Sequence, residues 1–313
     1  MKAIVKYAEG TGKIDYLDVA DKSCEDCEVK VEVKASGICM TDIHIMNDLY
    51  PWDLFSPLGH EYSGVIIETG KDVKKYQVGD RVATCMYGGF SKYAVKNEND
   101  LIFKLPDNLS FEEGAMIEPL AAAGYSVMNR SKIMVHDVVF IEGPGTLGLC
   151  ALQIVKAMGG IAVISGTSRS LPRLELAVKL GADYIINVEE TDPVEFIMDL
   201  TKGKGADAVI ECAGTQAAFD SGLRALKNGG ILTQVALYPS NPVVDLNSIV
   251  CKNQQIIGSI GYEPETWKKC IELVRDRLVD VQSLITCRLP LNEWKKGFDM
   301  VARKEGLKII LYP

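Results

Sequence analysis

The chain has 313 residues, 47% of them hydrophobic and 24% charged, enough apolar material for two folded domains of ordinary size. Its 34 basic and 42 acidic side chains leave a formal charge of -8, which repels a phosphate backbone and argues against nucleic acid as a partner. The opening run MKAIVKYAEGTGKIDYLDVADK is broken by charges every few residues, so neither an export signal nor a membrane anchor is expected and the protein reads as cytoplasmic.

In chain order, Val29 to Val33, Tyr62 to Glu68, Arg81 to Thr84 and Ser91 to Val95 are short β-rich runs separated by Gly, Pro and Asp, the pattern of an irregular, mostly antiparallel β domain. Cys24 and Cys27 form a lone C-x-x-C ahead of them. Glu25, Asp26 and Glu28 surround that pair with negative charge, which disfavours thiolate. Nine cysteines, odd in number and scattered, read as reduced thiols rather than a disulfide framework.

From about Ala122 the rhythm changes. A strand-like run, Val138 to Glu142, leads through Gly-rich sequence to a helical stretch ending at Met158 and a buried strand, Ile161 to Ser165. The most apolar part, Gly145 to Gly166, carries Lys156 and is split by Gly159-Gly160, so helix plus strand describes it better than a bilayer span. Strand candidates at Tyr184 to Ile186, Ala208 to Cys212, Ile231 to Ala236 and Ile256 to Ser259 alternate with helical windows such as Arg173 to Leu180 and Ala217 to Leu226. Such alternation implies a parallel sheet covered by helices on both faces. A helix around Trp267 to Leu278 and a terminal strand Lys308 to Leu311 are too little for a domain and are expected to return to the first one. The expected class is therefore α/β, with a β-rich domain over residues 1–121 and 260–313 and a doubly wound dinucleotide-binding domain over 122–259.

Gly143-Pro144-Gly145-Thr146-Leu147-Gly148 fits G-x-G-x-x-G, with a strand before it and a helix after it. The first glycine permits the tight turn, the second lets backbone approach a pyrophosphate, and the third lets helix pack on strand. NAD selectivity usually needs an acidic residue at the end of the second strand, and none lies between Ile161 and Pro172. Gly166-Thr167-Ser168-Arg169-Ser170 stands there instead, hydroxyls beside a cation, which suits the 2′-phosphate of NADP(H) over NAD(H).

Only three histidines occur, and His44 and His60 share a short segment with Cys39 and Glu61. One thiolate, one imidazole and one carboxylate suit a catalytic zinc with an open fourth position. Gly37-Ile38-Cys39-Met40-Thr41-Asp42-Ile43-His44, followed by Gly59-His60-Glu61-Tyr62-Ser63-Gly64, resembles the catalytic-zinc signature of the zinc-containing medium-chain dehydrogenase/reductase family. Further matches follow in order: Val78-Gly79-Asp80-Arg81-Val82, Gly88-Gly89-Phe90, Ile117-Glu118-Pro119-Leu120, the Gly-rich turn, Arg173-Leu174 and Glu211-Cys212-Ala213-Gly214.

The resemblance implies a GroES-like catalytic domain with a Rossmann domain inserted. It implies Cys39, His60 and either Glu118 or Glu61 around the metal, the other carboxylate exchanging with it or orienting ligands. It also implies Thr41 as the relay hydroxyl and His44 as the group passing a proton to solvent, with Arg173 joining Ser168 and Arg169 at the cofactor. The Ile117-Glu118-Pro119-Leu120 run looks like the sorbitol and threonine dehydrogenase branch, which implies a polyol, cyclitol or secondary alcohol as substrate. One departure is visible: the family's four closely spaced structural cysteines should follow Arg81-Val82, yet only Cys85 precedes Gly88, so one zinc per chain is expected.

Tyr50, Trp52, Phe55 and Met86 are candidates for the substrate wall. Two other classes share parts of this pattern. A zinc-free quinone or enone reductase uses the same two domains, and a non-catalytic NADPH-binding regulator needs only the Gly-rich turn. A homodimer or homotetramer is expected through edge strands of the nucleotide domain, with Ile231 to Ala236 and Val243 to Val250 as candidates.

Overall fold

In the computed structural model, which describes all 313 residues, the first hundred or so form seven strands: β1 (Lys2–Lys6), β2 (Ile14–Asp18), β3 (Glu28–Gly37), β4 (Glu61–Thr69), β5 (Arg81–Cys85), β6 (Tyr93–Asn97) and β7 (Ile102–Lys104). A parallel series follows, β8 (Val138–Glu142), β9 (Ile161–Gly166), β10 (Tyr184–Asn187), β11 (Ala206–Glu211), β12 (Leu226–Gln234) and β13 (Gln255–Gly258). The chain ends with β14 (Ile285–Pro290) and β15 (Lys308–Tyr312).

The chain divides into two units, Met1–Glu118 with Val281–Pro313, and Pro119–Asp280. In the first, a sheet of order β14-β15-β3-β4-β5-β7 is antiparallel except for the β14–β15 pair, and β6 also pairs with β3. Val29, Val31, Val33 and Ala35 alternate along β3 and all are buried, the period-2 pattern of a strand with one face in a core. The core beside it gathers Ile4, Ile38, Leu58 and Phe90 with Ile309 from β15. Trp294 and Phe298, one turn apart on the helix Trp294–Ala302, complete it; Phe298 meets Phe90 and Trp294 edge-on, at 5.9 and 5.1 Å between ring centroids. Burying each such ring contributes about 1.5–3 kcal/mol, which is what brings the C-terminal segment back to the N-terminal sheet.

The second unit is a six-stranded sheet of order β10-β9-β8-β11-β12-β13, parallel throughout. The order reverses between β8 and β11, which opens a crevice past the C-terminal ends of those two strands. The helix Thr146–Ala157 connects β8 to β9, and its residues from Gly148 to Val155 are all buried, as an almost wholly apolar helix requires.

Two expectations are corrected. The return to the first unit falls at Val281, not near residue 260, because the helix Pro264–Arg275 packs in the second unit. Trp267, Cys270 and Val274 are fully buried there, and Cys270 Sγ donates to the Leu120 carbonyl at 3.5 Å. Ile231 to Ala236 offers no free edge, since β12 is flanked by β11 and β13. Val243 to Val250 runs into a short helix, Leu246–Cys251, rather than a strand. No helix is long and apolar enough to cross a membrane.

Candidate metal centre and dinucleotide turn

Antiparallel pairing sets Gly37 of β3 opposite Glu61 of β4. Cys39, just past β3, and His60, just before β4, therefore emerge at the same end of the pair. Cys39 is also the N-cap of the helix Met40–Met46, and its backbone N–H donates to Asp42 Oδ2 at 2.9 Å, which fixes the thiol's exit direction. The outcome is a cluster in which one ligand atom each from Cys39, His60 and Glu61 lie within 4.8 Å of one another. The Thr41 hydroxyl is 3.5 Å from Cys39 Sγ.

Asp42 is fully buried, and its Oδ1 has no hydrogen-bond partner but faces His60 Nδ1 at 3.6 Å. Burial disfavours a charged His60, yet Asp42 and Cys39 outweigh it and hold the imidazole well above its ordinary pKa. A cation entering this cluster replaces that proton, so metal binding releases protons here. An aspartate behind a ligating histidine also selects which ring nitrogen faces the metal.

Glu61 has a second partner. Lys308 Nζ, from β15, donates to Glu61 Oε1 at 2.6 Å and Oε2 at 2.5 Å and to the Ile38 carbonyl at 3.3 Å, with both charged side chains almost entirely buried. Burial lowers the pKa of Lys308, but Glu61 and then Cys39 raise it further, so the ammonium stays charged. The pair needs a glycine opposite: a Cβ on Gly37 would fall 2.2 Å from Glu61 Oε2 and 3.2 Å from Lys308 Cδ. Glu118, at the start of the helix Ile117–Gly124, is half-buried. It lies outside the three-residue cluster, although its charge acts on Lys308.

His44 sits half-buried in the last turn of the helix Met40–Met46. Among the candidate wall residues, Trp52 packs on Tyr87 with ring centroids 4.4 Å apart and donates Nε1–H to the Ser56 carbonyl at 3.2 Å. Tyr50, Phe55 and Met86 are exposed. Near the lone C-x-x-C, burial first, then Glu68 and Glu28, push the Cys24 thiol up to about 11, so it is a poor nucleophile.

In the second unit the glycines of the turn do three different things. Gly143 has φ +97°, a left-handed turn conformation, and backs onto Ala213. A Cβ on Gly148 would lie 2.1 Å from the Gly143 carbonyl oxygen, while Gly145 faces open space. Gly145 caps the helix Thr146–Ala157, leaving the N–H groups of Thr146, Leu147 and Gly148 at its positive end to receive an anion.

Past β9, Ser168, Arg169 and Ser170 form a 3-10 turn. Burial and then the charge of Arg169 lower the pKa of Arg173, so the two guanidinium groups share one electrostatic environment. The Ser168 hydroxyl accepts from Asn187 Nδ2 at 3.0 Å, and the Ser168 N–H donates to Glu189 at 3.1 Å.

Asp42, Lys308, Gly37, Asn187 and Glu189 thus join the candidate residues that sequence reasoning gave no role. Only Asp42 carried a signal, because a carboxylate three residues past Cys39 has capping-box spacing.

Residues 25–116 match the family model described as Alcohol dehydrogenase GroES-like domain, and residues 146–276 the one described as Zinc-binding dehydrogenase. The sorbitol dehydrogenase of Halalkalibacterium halodurans is 33% identical, the alignment covering 100% of this chain and 99% of that protein. The L-threonine 3-dehydrogenase of Bacillus velezensis is 34% identical over 100% and 99%. Among solved structures, 2R,3R-butanediol dehydrogenase from Bacillus subtilis is similar with a TM-score of 0.90 at 28% identity, covering 100% of this chain and 99% of that one.

Proposed function

Because the chain belongs to the zinc-type medium-chain dehydrogenase/reductase family, we propose that it is a zinc-dependent, NADP(H)-linked dehydrogenase that interconverts a secondary alcohol or polyol and its ketone. The observation that carries this reading is the convergence of Cys39, His60 and Glu61 within 4.8 Å, with Asp42 behind the imidazole. Thiolate, imidazole and carboxylate together are a donor set that zinc accepts and that a zinc-free quinone or enone reductase has no use for.

Bound zinc supplies Lewis acidity to the substrate oxygen, and the bound nicotinamide exchanges the hydride. The protein's own groups do the rest. Cys39 and His60 hold the metal and Asp42 keeps the His60 ring aimed. Glu61, both of whose oxygens accept from Lys308, would be the third donor, shared between the metal and that ammonium. Thr41, beside Cys39, would accept the substrate hydroxyl proton while releasing its own, and His44, three residues along the same helix, would pass a proton to solvent.

Cofactor choice rests on Ser168, Arg169 and Arg173. Two guanidinium groups that feel one another's charge favour a 2′-phosphate, which either can hold bidentately, while Glu189 competes for the Ser168 N–H. The reading extends to a homodimer formed through the β13 edge of the second unit. Substrates are sought among sugar alcohols, cyclitols and vicinal diols.

Chelator-stripped protein should lose nicotinamide-linked oxidation of such alcohols and recover it with one zinc per chain. Arg169→Glu should lower kcat/KM for NADP more than for NAD, by about tenfold or more, in line with a lost charge-assisted pair. Full activity after stripping defeats the zinc reading, two zincs per chain defeat the stoichiometry, and a wild-type preference for NAD defeats the role of Arg169.

A further inference from the structure

Two carboxyl groups at the C-terminal ends of β8 and β11 take part in no step above. Glu142 and Glu211 are register partners on those adjacent strands and are 2% and 0% exposed. Their hydrogen bonding differs. Glu211 Oε1 accepts from the N–H groups of Ala213 at 2.7 Å and Gly214 at 2.8 Å; its Oε2 accepts from Gln234 Nε2 at 2.5 Å and the Tyr238 hydroxyl at 3.3 Å. Three N–H donors and a Tyr238 hydroxyl shared with Gln234 oppose the burial that pushes the Glu211 carboxyl up.

Glu142 Oε1 lies 2.6 Å from the Ser221 hydroxyl, while its Oε2 has no partner and is pressed against Gly222, where a Cβ would come within 2.4 Å. The Ser221 hydroxyl is also 2.9 Å from the Ala218 carbonyl. The Ser221 hydroxyl donates to Glu142 Oε1 and shares its one hydrogen with the Ala218 carbonyl, so Glu142 has a single shared donor and a bare buried oxygen, which disfavours its charged form. Burial points the same way: it pushes Glu142 well above the ordinary carboxylate range, the Ser221 hydrogen bond opposing it and the Glu211 charge adding to it.

We propose that Glu142 is an un-ionised carboxyl which, bonded to Ser221, lets β8 and β11 lie at pairing distance and so positions the glycine turn for the cofactor. The turn begins at the next residue, and Gly143 packs on Ala213, whose N–H is held by Glu211. The Cys212 N–H donates to the Glu142 carbonyl at 2.9 Å, tying the ends of the two strands together. Removing the Glu142 proton places two carboxylates side by side in the interior, and the relief available is separation of the strand ends. The titratable groups around it are Glu211 and Cys212 from the β11 side and Tyr238 past β12; Cys150, on the helix Thr146–Ala157, lies beside Cys212, and β9 presents Ser165.

This inference rests on the dinucleotide reading, and the experiment separates the two. NADPH affinity of the full chain is followed by fluorescence from about pH 6 to about pH 10 in wild type and Glu142→Gln, whose amide supplies a hydrogen without ionising. Wild-type affinity should fall by about tenfold per pH unit above the apparent pKa, while E142Q keeps the low-pH affinity within about twofold and shows no such fall. Parallel profiles, no E142-dependent fall in this range, or a loss of affinity by E142Q at low pH overturn the positioning role.

A cofactor-independent check is the infrared C=O band of a protonated carboxyl, present in wild type near neutral pH and missing in E142Q. Its absence from wild type overturns the proposal whether or not NADPH binds. A wild type that carries the band but binds neither NADPH nor NADH defeats the dinucleotide reading, and the positioning role with it.

Discussion

Lys308 and Glu61 are each the main compensation for the other's buried charge, so substitutions at the two positions are not independent. In the metal-free protein, Lys308→Met leaves Glu61 buried and uncompensated, and Glu61→Gln does the same to Lys308; each should cost about 3–5 kcal/mol of stability. The double variant should cost clearly less than the sum, because neither charge is then stranded. Zinc separates the singles: it gives Glu61 a new cation in K308M, whereas E61Q has lost the carboxylate. Urea unfolding with and without zinc reads this, and equal stabilisation of the two single variants would sink the idea that Glu61 is shared. These residues also show why half of the centre could be read in advance. Cys39 falls in one short motif and His60 and Glu61 in the next, and the pairing of the neighbouring strands β3 and β4 joins them. Lys308 lies 247 positions from Glu61, and no pattern of periodicity links them; only the packing of β15 on β3 does.

The elements that tie the C-terminal segment to the N-terminal sheet include a charged latch as well as the aromatic core. Glu112, in the helix Phe111–Ala115, accepts from Arg288 of β14 at 2.9 and 2.7 Å, from Gln282 at 2.9 Å and from the Tyr312 hydroxyl of β15. The Arg288 hydrogen bond does most to pull its carboxyl down to about 2, with burial opposing and Tyr312 and Gln282 assisting. A folded-state pKa below the unfolded one means stability that is complete above the ordinary carboxylate range and is lost as pH falls toward about 2. Glu112→Gln should therefore lower Tm near neutral pH, and calorimetry should show the gap to wild type closing as the solution is acidified; a gap constant with pH would exclude the carboxylate as its source. Most strands of the parallel sheet were legible as apolar runs between turn residues, but β12 was read only from Ile231, because Lys227-Asn228-Gly229-Gly230 carries no apolar pattern. β1, β2, β7 and β14 were not, since charged residues interrupt them and their partners are remote. The helix Pro264–Arg275 announced its apolar face but not its unit, because periodicity says that a face is buried and not against what.

At the scale of the whole molecule, β13 leaves one edge of the parallel sheet unpaired. That strand pairs with β12 on one side only, and in the segments that precede and follow it Val243, Leu246, Val250 and Ile260 are 78%, 68%, 73% and 79% exposed, with Ile256 on the strand itself partly so. An unpaired strand edge rimmed by aliphatic side chains is unstable against association, and the edge carries none of the prolines that block it. A two-fold axis at this edge would set β13 antiparallel to its copy and bury the same patch on both chains. Two chains of formal charge -8 repel one another, so attraction has to come from the apolar patch, and added salt should strengthen the dimer by screening. Sedimentation velocity should find a dimer for the wild type. It should find a monomer for Val250→Asp combined with Ile256→Lys, with an unchanged circular dichroism spectrum, because neither residue belongs to the buried core. A dimer that persists in the double variant, or one that weakens as salt is raised, would place the interface elsewhere and make it electrostatic.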